Sequence, residues 1–89
     1  MNNYHLINKT ILIEEYTKKD KINNKSARVR VYEGINIKNE TIVHFAKVLD
    51  LNNKREKIKT FYDSESLDDA RRWGFENAVQ IIYSQRNLY

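Results

Sequence analysis

Apolar and polar residues alternate with a period of two along most of the first two thirds of the chain, and with a helical period after that. Ala27-Arg28-Val29-Arg30-Val31-Tyr32 alternates strictly. It predicts a strand with Val29 and Val31 on one side and Arg28, Arg30 and Tyr32 on the other. Thr10-Ile11-Leu12-Ile13-Glu14-Glu15-Tyr16 is rich in β-branched residues and predicts a first strand. Its rival is a helix over residues 4–16, because Tyr4, Ile7 and Ile11 also fall near helical spacing. Residues 17–26 are polar and contain the turn pair Asn23-Asn24, which suits a connection between antiparallel strands. Gly34 and the polar run 36–40 mark the next connection. Thr41-Ile42-Val43-His44-Phe45-Ala46-Lys47-Val48-Leu49 is apolar on both faces, so it predicts a central strand whose inward face stays undecided. After turn residues 50–55, Glu56-Lys57-Ile58-Lys59-Thr60-Phe61-Tyr62 returns as a strand with Lys57 and Lys59 sharing a face.

From about residue 64 the period changes. Asp63, Ser64 and Ser66 are good N-caps, and Glu65, Asp68 and Asp69 suit the positive end of a helix dipole. At 100° per residue, Leu67, Ala70, Gly74, Ala78, Ile81 and Ile82 form one stripe with Phe75 at its border. Small residues at Ala70, Gly74 and Ala78 let the helix axis come close to a flat surface, and the sheet is the surface available. The expected fold is therefore α+β: a three- or four-stranded antiparallel β-meander with one C-terminal α-helix of about five turns packed on one face.

The 89 residues, 40% of them apolar, suit a single domain spanning residues 1–89 with one modest core. The absence of cysteine excludes disulfides, thiolate ligands and a cysteine nucleophile. Two glycines cannot build a glycine-rich phosphate loop, and apolar runs such as Ile11-Leu12-Ile13 fall far short of the roughly 20 residues that span a bilayer. The start, Met1-Asn2-Asn3-Tyr4-His5, lacks the basic head of a signal peptide, so a soluble cytoplasmic protein with no membrane partner is expected. Net charge is +4, with thirteen basic and seven acidic residues in positions 1–60 against three and five in 61–89. This asymmetry favours a polyanionic partner and excludes an acidic mimic of DNA. Asn, Lys, Ile and Tyr make up 37 of the 89 residues, a bias typical of AT-rich genomes such as those of low-GC bacteria, their plasmids and phages.

Catalytic chemistry finds little support. His5 and His44 have no second ligand-type residue at a metal-site spacing, and a strand histidine such as His44 is commonly a satisfied, partly buried side chain. Neither glycine flanks a serine as a nucleophile elbow requires. Glu14 and Glu15 point to opposite faces of a strand, and Asp68-Asp69 serves the helix dipole. A non-enzymatic protein with no cofactor and no metal is expected. Binding has more to offer. With Val29, Val31, Ile58 and Tyr62 under the helix, Arg28, Arg30, Lys57 and Lys59 would emerge on the open face beside Tyr32. Lys18, Lys19, Lys21 and Lys25, with Lys54 and Arg55, would extend that patch along one edge. Spaced cations release counterions from phosphates, arginine forks match guanine edges, and a tyrosine stacks on a base or packs on a sugar. Arg71 projects near the apolar stripe and would lay its stem over the core edge. Trp73 and Tyr83 fall outside the stripe; they either cover the sheet edge or, with Tyr89, anchor a protein partner or a homodimer.

The run Phe61-Tyr62-Asp63-Ser64-Glu65-Ser66-Leu67-Asp68-Asp69-Ala70-Arg71-Arg72-Trp73 ends a strand on an aromatic, caps a helix with an acid or hydroxyl, and turns alanine to the sheet. In this it resembles the AP2-like and phage-integrase N-terminal DNA-binding domains. The resemblance implies a small sheet, backed by such a helix, that inserts into the major groove. The basic strand Arg28-Val29-Arg30-Val31-Tyr32 is compatible with it, while the additional strand at 10–16 departs from it. Together these features predict a small module that contacts nucleic acid or a nucleoprotein complex through a basic sheet face. The competing expectation is a phage- or plasmid-encoded inhibitor or adaptor of the anti-defence type, such as an anti-CRISPR, that binds a host protein or nucleoprotein complex.

Overall fold

Connections too short to cross a sheet oblige each strand to fold back beside the last. The computed structural model describes residues 7–36, 38 and 40–83. Strands β1 (Ile7–Asp20), β2 (Lys25–Asn36), β3 (Thr41–Asp50) and β4 (Arg55–Phe61) precede one helix, α1 (Ser66–Tyr83). The strands form one antiparallel sheet in the order β1-β2-β3-β4, and α1 packs on one of its faces. This is the α+β meander that the hydrophobic pattern predicts. The rival helix over residues 4–16 is displaced, because β1 occupies Ile7–Asp20. Among the described residues no helix is long and apolar enough to cross a membrane.

All three hairpin turns share a local design. The last residue of each leading strand is Asp or Asn, and its side-chain oxygen accepts the amide two residues on. Asp20 takes Ile22 N at 3.1 Å, Asn36 takes Lys38 N at 3.0 Å and Asp50 takes Asn52 N at 2.9 Å. The residue before the following strand is left-handed in each: Asn24 at φ 55°, Glu40 at φ 58° and Lys54 at φ 58°. Four-residue turns of this kind place Asp20 opposite Lys25, Asn36 opposite Thr41 and Asp50 opposite Arg55, which fixes the parity of every strand. In β1 the register slips between Leu12 and Glu14, where a bulge adds one residue against β2.

That parity determines the two faces. Toward α1 point Ala27, Val29 and Val31 of β2 and Ala46 and Val48 of β3, all fully buried with Ala70, Ala78 and Ile82 of the helix. Tyr16, Phe61, Leu67, Trp73 and Ile81 close the rim of this core. Gly74 sits at its centre. A methyl group at Gly74 would lie 2.8 Å from Cγ1 of Val29 and 3.7 Å from Cβ of Ala46. Close approach of helix to sheet is therefore what the small residue permits, as the small–small–small spacing predicts.

Candidate nucleic-acid interface

The opposite, open face carries the other half of the pleat. Arg28, Arg30 and Tyr32 of β2 lie opposite Leu49, Lys47 and Phe45 of β3, and Lys47 in turn lies opposite Ile58 of β4. On β1, Thr17 and Glu15 face Arg28 and Arg30, and Leu12 faces Tyr32. Tyr32 stacks on Phe45 with ring centroids 4.8 Å apart, and Lys47 Nζ stands 5.7 Å from the Tyr32 ring centroid. Phe45 and Val43 are buried although they point away from the helix. A small dimple of about 10 Å³ lies between Arg28, Arg30, Lys47, Leu49 and Glu56.

Arg28, Arg30 and Lys47 on this face each have a local partner. Arg30 is hydrogen-bonded to Glu15 through Nε, and that contact holds the Glu15 carboxyl below the usual carboxylate range while reinforcing the charge of Arg30. Arg28 Nε donates to Thr17 Oγ1 at 3.4 Å, and Lys47 Nζ lies 3.8 Å from Glu56 Oε2. These are exposed pairs, so they orient the cations and contribute little to stability. A phosphate can replace a surface carboxylate as partner with small loss, because the cation stays charged and hydrated throughout.

The expectation that Lys57 and Lys59 join Arg28 and Arg30 is corrected. Both face the helix side, because the turn at 51–54 sets Lys57 opposite Val48 and Lys59 opposite Ala46. On this edge strand they lean around the flank of α1: Lys57 Nζ donates to Asn77 Oδ1 at 3.3 Å, and Lys59 Nζ lies 5.5 Å from the Phe61 ring centroid. Ile58 and Tyr62, expected beneath the helix, are instead exposed. Lys47, left unassigned because β3 is apolar on both faces, takes the place of the two lysines. Lys18 also turns to the helix side, with Nζ 4.6 Å from the Phe75 ring centroid. Lys19, Lys21, Lys25, Lys54 and Arg55 gather at the turn end of the sheet, where Asn52 joins the two turns: its Oδ1 accepts Ser26 N at 2.8 Å and its Nδ2 donates to Asn24 O at 3.1 Å.

On the helix, Trp73 packs against the core in a T-shaped pair with Phe61, ring centroids 6.5 Å apart, so it covers the sheet flank. Arg71 reaches Glu14 at 3.3 Å, Tyr83 is exposed, and Tyr89 lies outside the described residues. His5 lies outside them as well.

One constellation escapes sequence reading. His44 is buried between Ser66 and Glu33, with Nδ1 2.6 Å from Ser66 Oγ and Nε2 3.1 Å from Glu33 Oε2. Hydroxyl, imidazole and carboxylate in line have the membership of a hydrolytic triad, but access runs the wrong way. Ser66 is only 3% exposed, while the carboxylate end opens to solvent. The hydroxyl is enclosed at the start of α1 and is not presented to solvent. The cluster instead ties the helix start to β3 and β2. Its signal in the sequence was faint, because Glu33, His44 and Ser66 are far apart in the chain and only register brings them together.

No known protein family, curated protein or solved structure matches this chain.

Proposed function

We propose that this protein is a non-enzymatic module that binds nucleic acid through its open sheet face. The observation that carries the reading is the grouping of Arg28, Arg30 and Lys47 around the stacked Tyr32–Phe45 pair, on the face that α1 leaves free. The arginines supply forks that match phosphate or guanine acceptors, Lys47 supplies a point charge, and Tyr32 offers a ring on which a base or sugar packs. Replacing Arg28 and Arg30 together with Ala weakens binding to a short duplex and flattens its salt dependence by about two logarithmic units per tenfold change in salt. A parent protein with no measurable affinity for DNA or RNA at low salt contradicts the reading.

A second reading, an inhibitor or adaptor that docks on a host protein or nucleoprotein complex, draws on a different observation. Leu12 and Ile58 on the same face are 46% and 37% exposed, and Tyr62 just beyond β4 is exposed too. Apolar side chains among cations suit a protein surface as well as a groove. Capture of host proteins that survives nuclease treatment favours this second reading; partners that all vanish with nuclease favour the first.

A further inference from the structure

We infer that the two laced turns at the end of the sheet form a phosphate-contacting site of their own, which grips the sugar–phosphate backbone beyond the region met by the sheet face. The inference rests on the nucleic-acid reading above and adds a second point of contact to it. The β1–β2 turn brings Lys19, Lys21 and Lys25 to this end, and the β3–β4 turn brings Lys54 and Arg55. A groove of about 340 Å³ opens between Lys19, Asp20, Lys21, Asn24, Lys25 and Ser26.

The two local acids, Asp20 and Asp50, offset only part of the charge of these five cations. Asp20 is buried and spends its oxygens on Ile22 N at 3.1 Å and Asn23 Nδ2 at 2.6 Å. Asp50 is used in the same way, by Asn52 N at 2.9 Å, Asn53 N at 3.2 Å and Asn53 Nδ2 at 2.9 Å. Lys25 is the cation whose field reaches Asp50. Among the described residues, Lys19, Lys21, Lys54 and Arg55 have no ion-pair partner, whereas Arg30 and Lys47 on the sheet face do. The lacing at Asn52, with Leu51 N donating to Ser26 O at 3.1 Å, fixes the two turns side by side. Their centres are two strand spacings apart, about 10 Å. Like charges held this close repel one another, and a polyanion relieves that repulsion by releasing its counterions. Arg28 and Lys19 lie on the sheet face between this end and the Tyr32–Phe45 pair, so one backbone running along β2 reaches both sites.

The test compares the full-length parent with Lys21→Gln/Lys54→Gln/Arg55→Gln and with Arg28→Gln/Arg30→Gln, each titrated with a short mixed-sequence DNA duplex over a salt series. The turn variant is expected to keep or raise Tm, since it removes repulsion at exposed positions. It is expected to lower the salt slope by about 2–3, at about 0.9 per phosphate contact, and Lys21→Gln alone by about 1. A turn variant with the parent's slope, beside an arginine variant with a reduced one, overturns the turn site and leaves the sheet-face reading standing. The reverse pattern upholds the turn site and removes the sheet face. A parent that does not bind the duplex at low salt overturns both.

Discussion

Gly74 shows how one missing side chain sets the distance between helix and sheet. Intrinsic propensity favours Ala over Gly within a helix by about 1 kcal/mol. Here a methyl group would meet Val29 Cγ1 at 2.8 Å, and Val29 is fully buried and stiff about χ1. Either Val29 leaves its rotamer or α1 rises from the sheet, at an overpacking cost of about 1–3 kcal/mol. Gly74→Ala is therefore expected to lose about 1 kcal/mol in urea denaturation, against the gain that propensity alone predicts. Combined with Val29→Ala, it is expected to be more stable than the sum of the two single changes, because the smaller side chain removes the clash. Asp50 makes a different point at the same scale. Burial opposes its charge, yet hydrogen bonds from Asn53 and Asn52 and the nearby charge of Lys25 hold its carboxyl below the ordinary range. Glu15 is lowered too, by its hydrogen bond to Arg30. The folded state then binds fewer protons than the unfolded chain around the ordinary carboxylate range, near pH 4. Stability from these groups is present above that range and is lost as pH falls through the lowered folded values. The denaturation midpoint is expected to drop on acidification below about pH 4, and Asp50→Asn to make the drop shallower. An Asp50→Asn profile parallel to the parent's would show that the turn does not depend on this charge.

At the scale of elements, the strand positions, the helix and the small-residue contact were legible because each rests on local periodicity. The parity of β4 was not. An alternation of Lys and Ile reads as charge outward and apolar inward, and that reading holds for a strand beneath a helix. On an edge strand it fails, since Lys57 and Lys59 run past the flank of α1 and keep their charges in water. The missing information lay in turn length. Asp50 and Arg55 bracket four residues and must face one another, so Lys57 and Lys59 follow Val48 and Ala46 to the helix side. The same Asx-x-x-Asn spacing at Asp20-Lys21-Ile22-Asn23 and Asp50-Leu51-Asn52-Asn53 could have shown it. Phe61 shares this parity, opposite His44, and its ring centroid lies 6.5 Å from that of Trp73. Trp73 thus belongs to the core rim. Trp73→Ala is expected to lower stability by about 2–3 kcal/mol, with the hydrodynamic size unchanged in gel filtration. Full stability with a lost dimer would instead make Trp73 an interface residue.

At the scale of the whole molecule, the sheet is longer than the helix that backs it, and the principal extents are 46 × 24 × 20 Å. One long face holds Arg28, Arg30, Lys47 and the Tyr32–Phe45 stack, and the laced turns lie at its end. The basic bias of residues 1–60 already pointed to a polyanion, because all of the sheet except its last residue, Phe61, comes from that segment. Which cations share a face depended on register, and so became visible only in the fold. The central claim is that the face opposite α1 meets nucleic acid. It is tested most directly by amide and side-chain NMR shifts of the labelled protein, titrated with a short duplex at low salt. The account predicts shifts concentrated at Arg28, Arg30, Tyr32, Lys47 and Leu49, with the outer side of α1 around Arg72 and Glu76 unmoved. Shifts confined to α1, or none at all, would contradict it.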